Sequence, residues 1–197
     1  MRRPSLRPLL PAVALLLAGA TLGAQAPAAT AAAPALAPAP SPAPEIGQMA
    51  PDFTLPWADA SGARATPVTL SDLRGKVVVV AFYPKDRTSG CTAELTRFRD
   101  DHATMFGDDV VVLPVSADDL ASHASWSKDM SFPFALVSDT ALTVADQYGS
   151  HTPGRATTNR TVFVIGKDGK VLWREMKFNA LSEKAYTELA AAVKQAR

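Results

Sequence analysis

The succession of apolar and polar stretches from Ile46 to Arg197 predicts an α/β domain, a central mixed β-sheet flanked by helices. Three observations carry that reading. Lys76-Val77-Val78-Val79-Val80-Ala81-Phe82-Tyr83 is a continuous β-branched and aromatic run between Gly75 and Pro84, the pattern of a strand covered on both faces. Directly after it, Cys91, Leu95, Phe98, His102 and Met105 recur at helical spacing, so strand and helix open a βαβ unit. Near the end, Lys167-Asp168-Gly169-Lys170 puts an Asp-Gly turn between two apolar runs, the signal of a hairpin, and another amphipathic helix follows.

Met49-Ala50-Pro51-Asp52-Phe53-Thr54-Leu55 reads as a short edge strand, followed by a polar loop and a hairpin return near Val68. The helix behind the central strand carries Cys91 at its first turn, facing the sheet, keeps Glu94, Arg97 and Asp101 off the apolar stripe, and stops at Gly107. Asp109 to Ser116 supplies the second strand of the βαβ unit. Asp118 to Asp129 reads as a polar helix and Phe134 to Val137 as a short strand. Asp139 then caps a helix over Thr140 to Tyr148 that Gly149 terminates. Thr161 to Ile165 and Val171 to Met176 flank the hairpin turn, and Ser182 caps a last helix with Tyr186, Leu189, Ala190 and Val193 on one face. This order, β-α-β, an inserted αβα stretch, then β-β-α, is the layout of a thioredoxin-like sandwich.

The first 45 residues stand apart from that domain. Arg2, Arg3 and Arg7 form a basic region, Leu9 to Leu22 an apolar run, and Ala18-Gly19-Ala20 and Ala24-Gln25-Ala26 two competing small-residue cleavage patterns, so residues 1–26 read as a signal peptide. An uncleaved anchor is the alternative, but the run falls short of the roughly 20 apolar residues that span a bilayer, and it contains Pro11. Residues 27–45 are almost entirely Ala and Pro, an extended tether. Nine of the 16 prolines precede Glu45, which sets the domain at 46–197. The expected location is therefore exported, periplasmic or secreted, with no stable membrane insertion after cleavage.

Without the three leader arginines, 17 basic side chains face 19 acidic ones, dispersed rather than striped, and nucleic acid is not an expected partner. The three histidines share no ligand spacing with each other or with Cys91, so no metal and no cofactor is expected. One cysteine allows no internal disulfide. Cys91 is either a buried structural thiol or a nucleophile, and its place favours the second. A helix start offers unpaired N–H groups and the positive end of the macrodipole to an anion.

Around it, Pro84 fixes the chain leaving the strand, and Thr88 stands three residues earlier, where a turn brings its hydroxyl toward the sulfur. Arg160 opens the hairpin strand expected beside the Cys-bearing one. It is either a partner for the sulfur or a surface cation paired with a neighbouring acid.

Phe82-Tyr83-Pro84-Lys85-Asp86-Arg87-Thr88-Ser89-Gly90-Cys91-Thr92-Ala93-Glu94, with Phe98-Arg99-Asp100 downstream, resembles the P-x-x-x-T-x-x-C active site of peroxiredoxins in their bacterioferritin-comigratory, Q-type form. Similar family features recur at Ala50-Pro51-Asp52-Phe53, Val137-Ser138-Asp139 and Arg160-Thr161-Val162-Phe163-Val164-Ile165, so the resemblance spans roughly Gly47 to the C-terminus. It implies a thiol peroxidase in which Cys91 is the peroxidatic nucleophile. Thr88 and Arg160 would bind the peroxide, Pro84 shield the sulfenic acid and Glu94 orient the arginine. Two departures stand out. Thr96 occupies the position where members that resolve their own disulfide often carry a second cysteine, and Ser89 stands where Pro is frequent. The first implies a one-cysteine enzyme that needs an external thiol reductant, a thioredoxin-like protein or a small thiol; the second implies a looser loop. The chain would act as a monomer or homodimer. The rival reading is an exported thioredoxin-fold binding or assembly module with a non-catalytic thiol.

Overall fold

The computed structural model describes residues 43–197, so the expected signal peptide and most of the Ala/Pro tether lie outside the described residues. The domain takes hold of the chain slightly before the expected boundary. Arg174 donates to the Pro44 carbonyl at 3.0 Å and pairs with Glu45.

Four short strands open the domain: β1 (Thr54–Leu55), β2 (Trp57–Asp59), β3 (Gly62–Ala63) and β4 (Val68–Thr69). β1 pairs antiparallel with β4, the expected hairpin return. The stretch expected to be a polar loop is a second hairpin, β2 with β3, and β2 also pairs with the main sheet. Gly62 makes its tight turn at φ 119°, and the Trp57 indole donates to the Thr66 carbonyl at 3.0 Å.

The central strand β5 (Val77–Phe82) is buried at all six positions. Next come α1 (Ser89–Asp100), α2 (His102–Met105), β6 (Val110–Ser116), α3 (Leu120–Met130), β7 (Leu136–Ser138), α4 (Thr143–Gln147), β8 (Thr161–Ile165), β9 (Val171–Glu175) and α5 (Glu183–Ala196). The seven-stranded sheet runs β3-β2-β7-β6-β5-β8-β9, parallel among β7, β6 and β5 and antiparallel elsewhere. This is the expected thioredoxin-like sandwich.

Because side chains alternate along a strand, β5 feeds two cores. Val77, Val79, Ala81 and Tyr83 pack with Cys91, Leu95 and Phe98 of α1 and with Leu189 and Val193 of α5. Val78, Val80 and Phe82 pack on the other side with Phe53, Leu70, Val144 and Tyr148. Burying side chains of this size contributes roughly 2 kcal/mol each, which fixes β5 and the point where the chain leaves it.

Two boundaries and one cap differ from the sequence reading. The helix expected through Met105 breaks at Asp101, whose backbone leaves the α region at φ −97°, ψ 12° while its carboxylate pairs with Arg97. His102 is consequently half-buried, stacked on Phe134, rather than part of the core stripe. The fourth helix starts at Thr143 rather than Thr140, because Leu142 adopts a left-handed φ of 58°. The Asp139 carboxylate still closes the turn by accepting from the Ala145 amide at 2.8 Å. Ser182 precedes α5 as expected, but its hydroxyl makes no capping bond.

Candidate active site

The chain leaves β5 at Tyr83 and enters α1 within six residues, and Cys91 is the third residue of that helix. Its side chain is fully buried against the core. Thr88 is the residue capping the helix, extended at φ −75°, ψ 150°, and its carbonyl accepts the Thr92 amide at 2.8 Å. Its hydroxyl donates to the Lys85 carbonyl at 3.1 Å, so in this arrangement it braces the turn rather than bonding the sulfur. Ser89 is the first helical residue, and Pro84 sits half-buried at the loop's start.

Arg160 arrives from the strand next to β5. It directly precedes β8, which pairs with β5, and its carbonyl accepts the Phe178 amide at 3.1 Å, fixing its backbone. One arm of the guanidinium, Nη2, donates to Cys91 Sγ at 3.2 Å; the other, Nη1, pairs with Glu94 Oε2. Cys91, Glu94 and Arg160 therefore form one cluster, with Glu94 fully buried and the arginine mostly covered. Burial pushes the Glu94 carboxyl up to about 7 against the pull of Arg160. Its second oxygen, Oε1, is buried with no hydrogen-bond partner. Burial alone would lower the Arg160 guanidinium, but Glu94 and Cys91 outweigh it and hold it above its ordinary value. The guanidinium and the first turn of α1 thus both direct positive charge at the sulfur.

Gly90 belongs to the same cluster and the sequence reading passed over it. A Cβ there would stand 3.2 Å from Arg160 Nη2, so the missing side chain is what lets the guanidinium lie across the helix start. The available signal was a glycine in a first helical turn, where it costs about 1 kcal/mol relative to alanine and needs a reason.

A cavity of about 720 Å³ opens over this cluster, lined near the reacting groups by Pro84, Gly90 and Arg160 and farther out by Met176, Phe178 and Leu181. It is large enough for a small organic molecule. Cys91 does not itself line the cavity; Arg160, which does, contacts its sulfur.

A family model described as the AhpC/TSA family matches residues 46–174, from ahead of β1 into β9. The chain belongs to the AhpC/TSA family. Its AhpC/TSA relatives include the Coxiella burnetii protein named as a peroxiredoxin bcp, 38% identical over 141 residues that cover 68% of this chain and 90% of that one. Peroxiredoxin Bcp of Bacillus subtilis is 35% identical over 144 residues, covering 68% and 87%. Among solved structures, peroxidoxin BcpB of Mycobacterium tuberculosis superposes with a TM-score of 0.67 at 31% identity, covering 78% of this chain and 99% of the other. Within AhpC/TSA the chain is a peroxiredoxin of the Bcp and Q type, as its motif implied. The rival reading, a binding module with an inert thiol, is not favoured.

Proposed function

We propose that Cys91 performs the thiol-dependent peroxidase reaction of this enzyme, on hydrogen peroxide or an organic hydroperoxide. The observation that carries the assignment is the Arg160 fork, which holds the only sulfur nucleophile of the chain at the start of α1, beside the cavity. The Cys91 thiolate attacks one oxygen of ROOH, the O–O bond breaks, and the departing alkoxide or hydroxide takes a proton to leave as ROH, with Cys91 as sulfenic acid. Arg160 stabilises the negative charge that moves from sulfur to the leaving oxygen. Glu94 orients Arg160, Thr88 braces the turn by donating to Lys85 while its hydroxyl oxygen accepts from the peroxide, and Pro84 shields the sulfenic acid from water.

With no second cysteine, reduction needs two equivalents of external thiol. The first forms a mixed disulfide with loss of water; the second releases Cys91 and a disulfide. The basic and apolar pattern of residues 1–26 supports an exported enzyme working in the periplasm or outside the cell.

The test is peroxide consumption with a dithiol in excess. Cys91→Ser is expected to consume peroxide at the uncatalysed rate while retaining the wild-type circular dichroism spectrum. Turnover at the wild-type rate in that variant ends the assignment.

A further inference from the structure

Between Pro84 and Thr88 the active-site loop is tied to α3 by a buried polar network that the peroxidase reaction itself does not use. Asp86 is almost completely buried. Its Oδ1 accepts from the Tyr83 hydroxyl at 2.7 Å, and its Oδ2 accepts from the Ser122 hydroxyl at 2.7 Å and from His123 Nδ1 at 2.9 Å. The other ring nitrogen, Nε2, lies 3.2 Å from the Val137 carbonyl in β7.

A carboxylate and a carbonyl both only accept, so satisfying both contacts requires a proton on each ring nitrogen. His123 itself is fully buried. The titratable groups facing it are Asp86, Tyr83 at the end of β5 and, through the Asp86 amide at 2.8 Å, Asp118. β7 (Leu136–Ser138) carries no titratable side chain. Burial alone would raise the Asp86 carboxyl, but the His123 hydrogen bond and charge, with the Tyr83 and Ser122 hydroxyls, hold it below the usual carboxylate range.

The next residue, Arg87, sits at a left-handed φ of 61°, and its guanidinium reaches Ser125 and Asp129 of α3 at 2.9 and 2.7 Å. A loop with a non-glycine residue in that region persists only where its surroundings hold it. The very next residue, Thr88, stands at the N-cap position of α1, and Cys91 follows in the first turn.

We propose that His123 is a positioning residue for Cys91: its imidazolium clamps Asp86 and so fixes the loop from which α1 starts, making the rate of thiol oxidation depend on the His123 proton. The proposal rests on the peroxidase reading above. Losing that proton leaves one bare nitrogen against an oxygen lone pair in a dry site, which loosens the clamp without touching the sulfur.

The experiment measures the second-order rate of hydrogen peroxide with pre-reduced full-length protein by stopped-flow tryptophan fluorescence from pH 5 to 9. Trp126, whose ring centroid lies 5.9 Å from that of Tyr83, serves as reporter. Wild type is compared with His123→Gln, Asp86→Asn and the double variant. Dividing the wild-type rate by the His123→Gln rate cancels the titrations of Cys91, Glu94 and Arg160. The ratio is expected to be roughly ten- to a hundredfold at the acid end and to fall toward one as pH rises. The double variant is expected to react within about twofold of either single one, because both act through one contact.

A ratio that does not change with pH, or losses that multiply in the double variant, overturns the proposal alone. A wild type inert toward peroxide removes the peroxidase reading with it. Should the variants not fold, ¹⁵N imidazole shifts of His123 in labelled wild type decide: both nitrogens protonated at pH 6 supports the clamp, and a neutral ring at that pH overturns it.

Discussion

Cys91 accepts a hydrogen bond from Arg160, and Arg160 is held by Glu94 and given room by Gly90, so four side-chain positions act as one unit. Arg160→Met keeps the length of the stem and removes the fork. The rate of Cys91 oxidation is expected to fall about 10²- to 10³-fold in single-turnover stopped flow, the range for losing one preorganised donor. Gly90→Ala is milder: the arginine must give by a few tenths of an ångström, and a severalfold loss of rate with an unaltered fold is expected. Glu94 supplies a pH dependence of stability. Its folded-state value, raised by burial from 4.5 to about 7, means that folding favours the protonated form. The associated stability is fully present below pH 4.5 and is lost as pH rises through 7. Relative to Glu94→Gln, wild type should lose roughly 3 kcal/mol across that window in urea unfolding. A difference that is flat with pH contradicts the burial of an ionisable Glu94.

At the scale of elements, the site depends on where β5 ends and α1 begins, and α3 braces the loop between them. Asp119 caps α3 by accepting the Ser122 amide at 2.8 Å. Asp119→Ala should cost about 1 kcal/mol in equilibrium unfolding, and a loss below a few tenths would show that the cap is idle. The central strand and α1 were legible because each repeats one pattern, an unbroken apolar run and a stripe at helical spacing, over many residues. The break at Asp101 was not, because no Gly or Pro marks it and it shows only in the backbone angles of that residue. The β2–β3 hairpin was hidden for a different reason. Trp57-Ala58-Asp59 is too short and too polar to show alternation, and β2 gains its place by pairing with β7 from a distant part of the chain.

At the scale of the whole molecule, Cys91 and Arg160 stand 69 residues apart and meet only because β5 and β8 are neighbours in the sheet. The sequence motif pointed to Cys91, Thr88 and Arg160, since thiol, hydroxyl and guanidinium chemistry can be read from a string of letters. It could not show which way each side chain points: the Thr88 hydroxyl turns to Lys85, and His123, in a stretch read only as a polar helix, is buried against the active-site loop. Because β5 feeds both cores, Val79→Ala should destabilise the entire domain by about 2 kcal/mol as one cooperative transition. Two separate transitions in a thermal melt would contradict a shared strand.

The most direct measurement is intact-protein mass spectrometry of the reduced enzyme before and after one equivalent of hydrogen peroxide, with a sulfenic-acid trapping reagent present. The account predicts a single trapped adduct that peptide mapping places on Cys91, and none in Cys91→Ser. Peroxide consumed with Cys91 still recovered as the free thiol would contradict it.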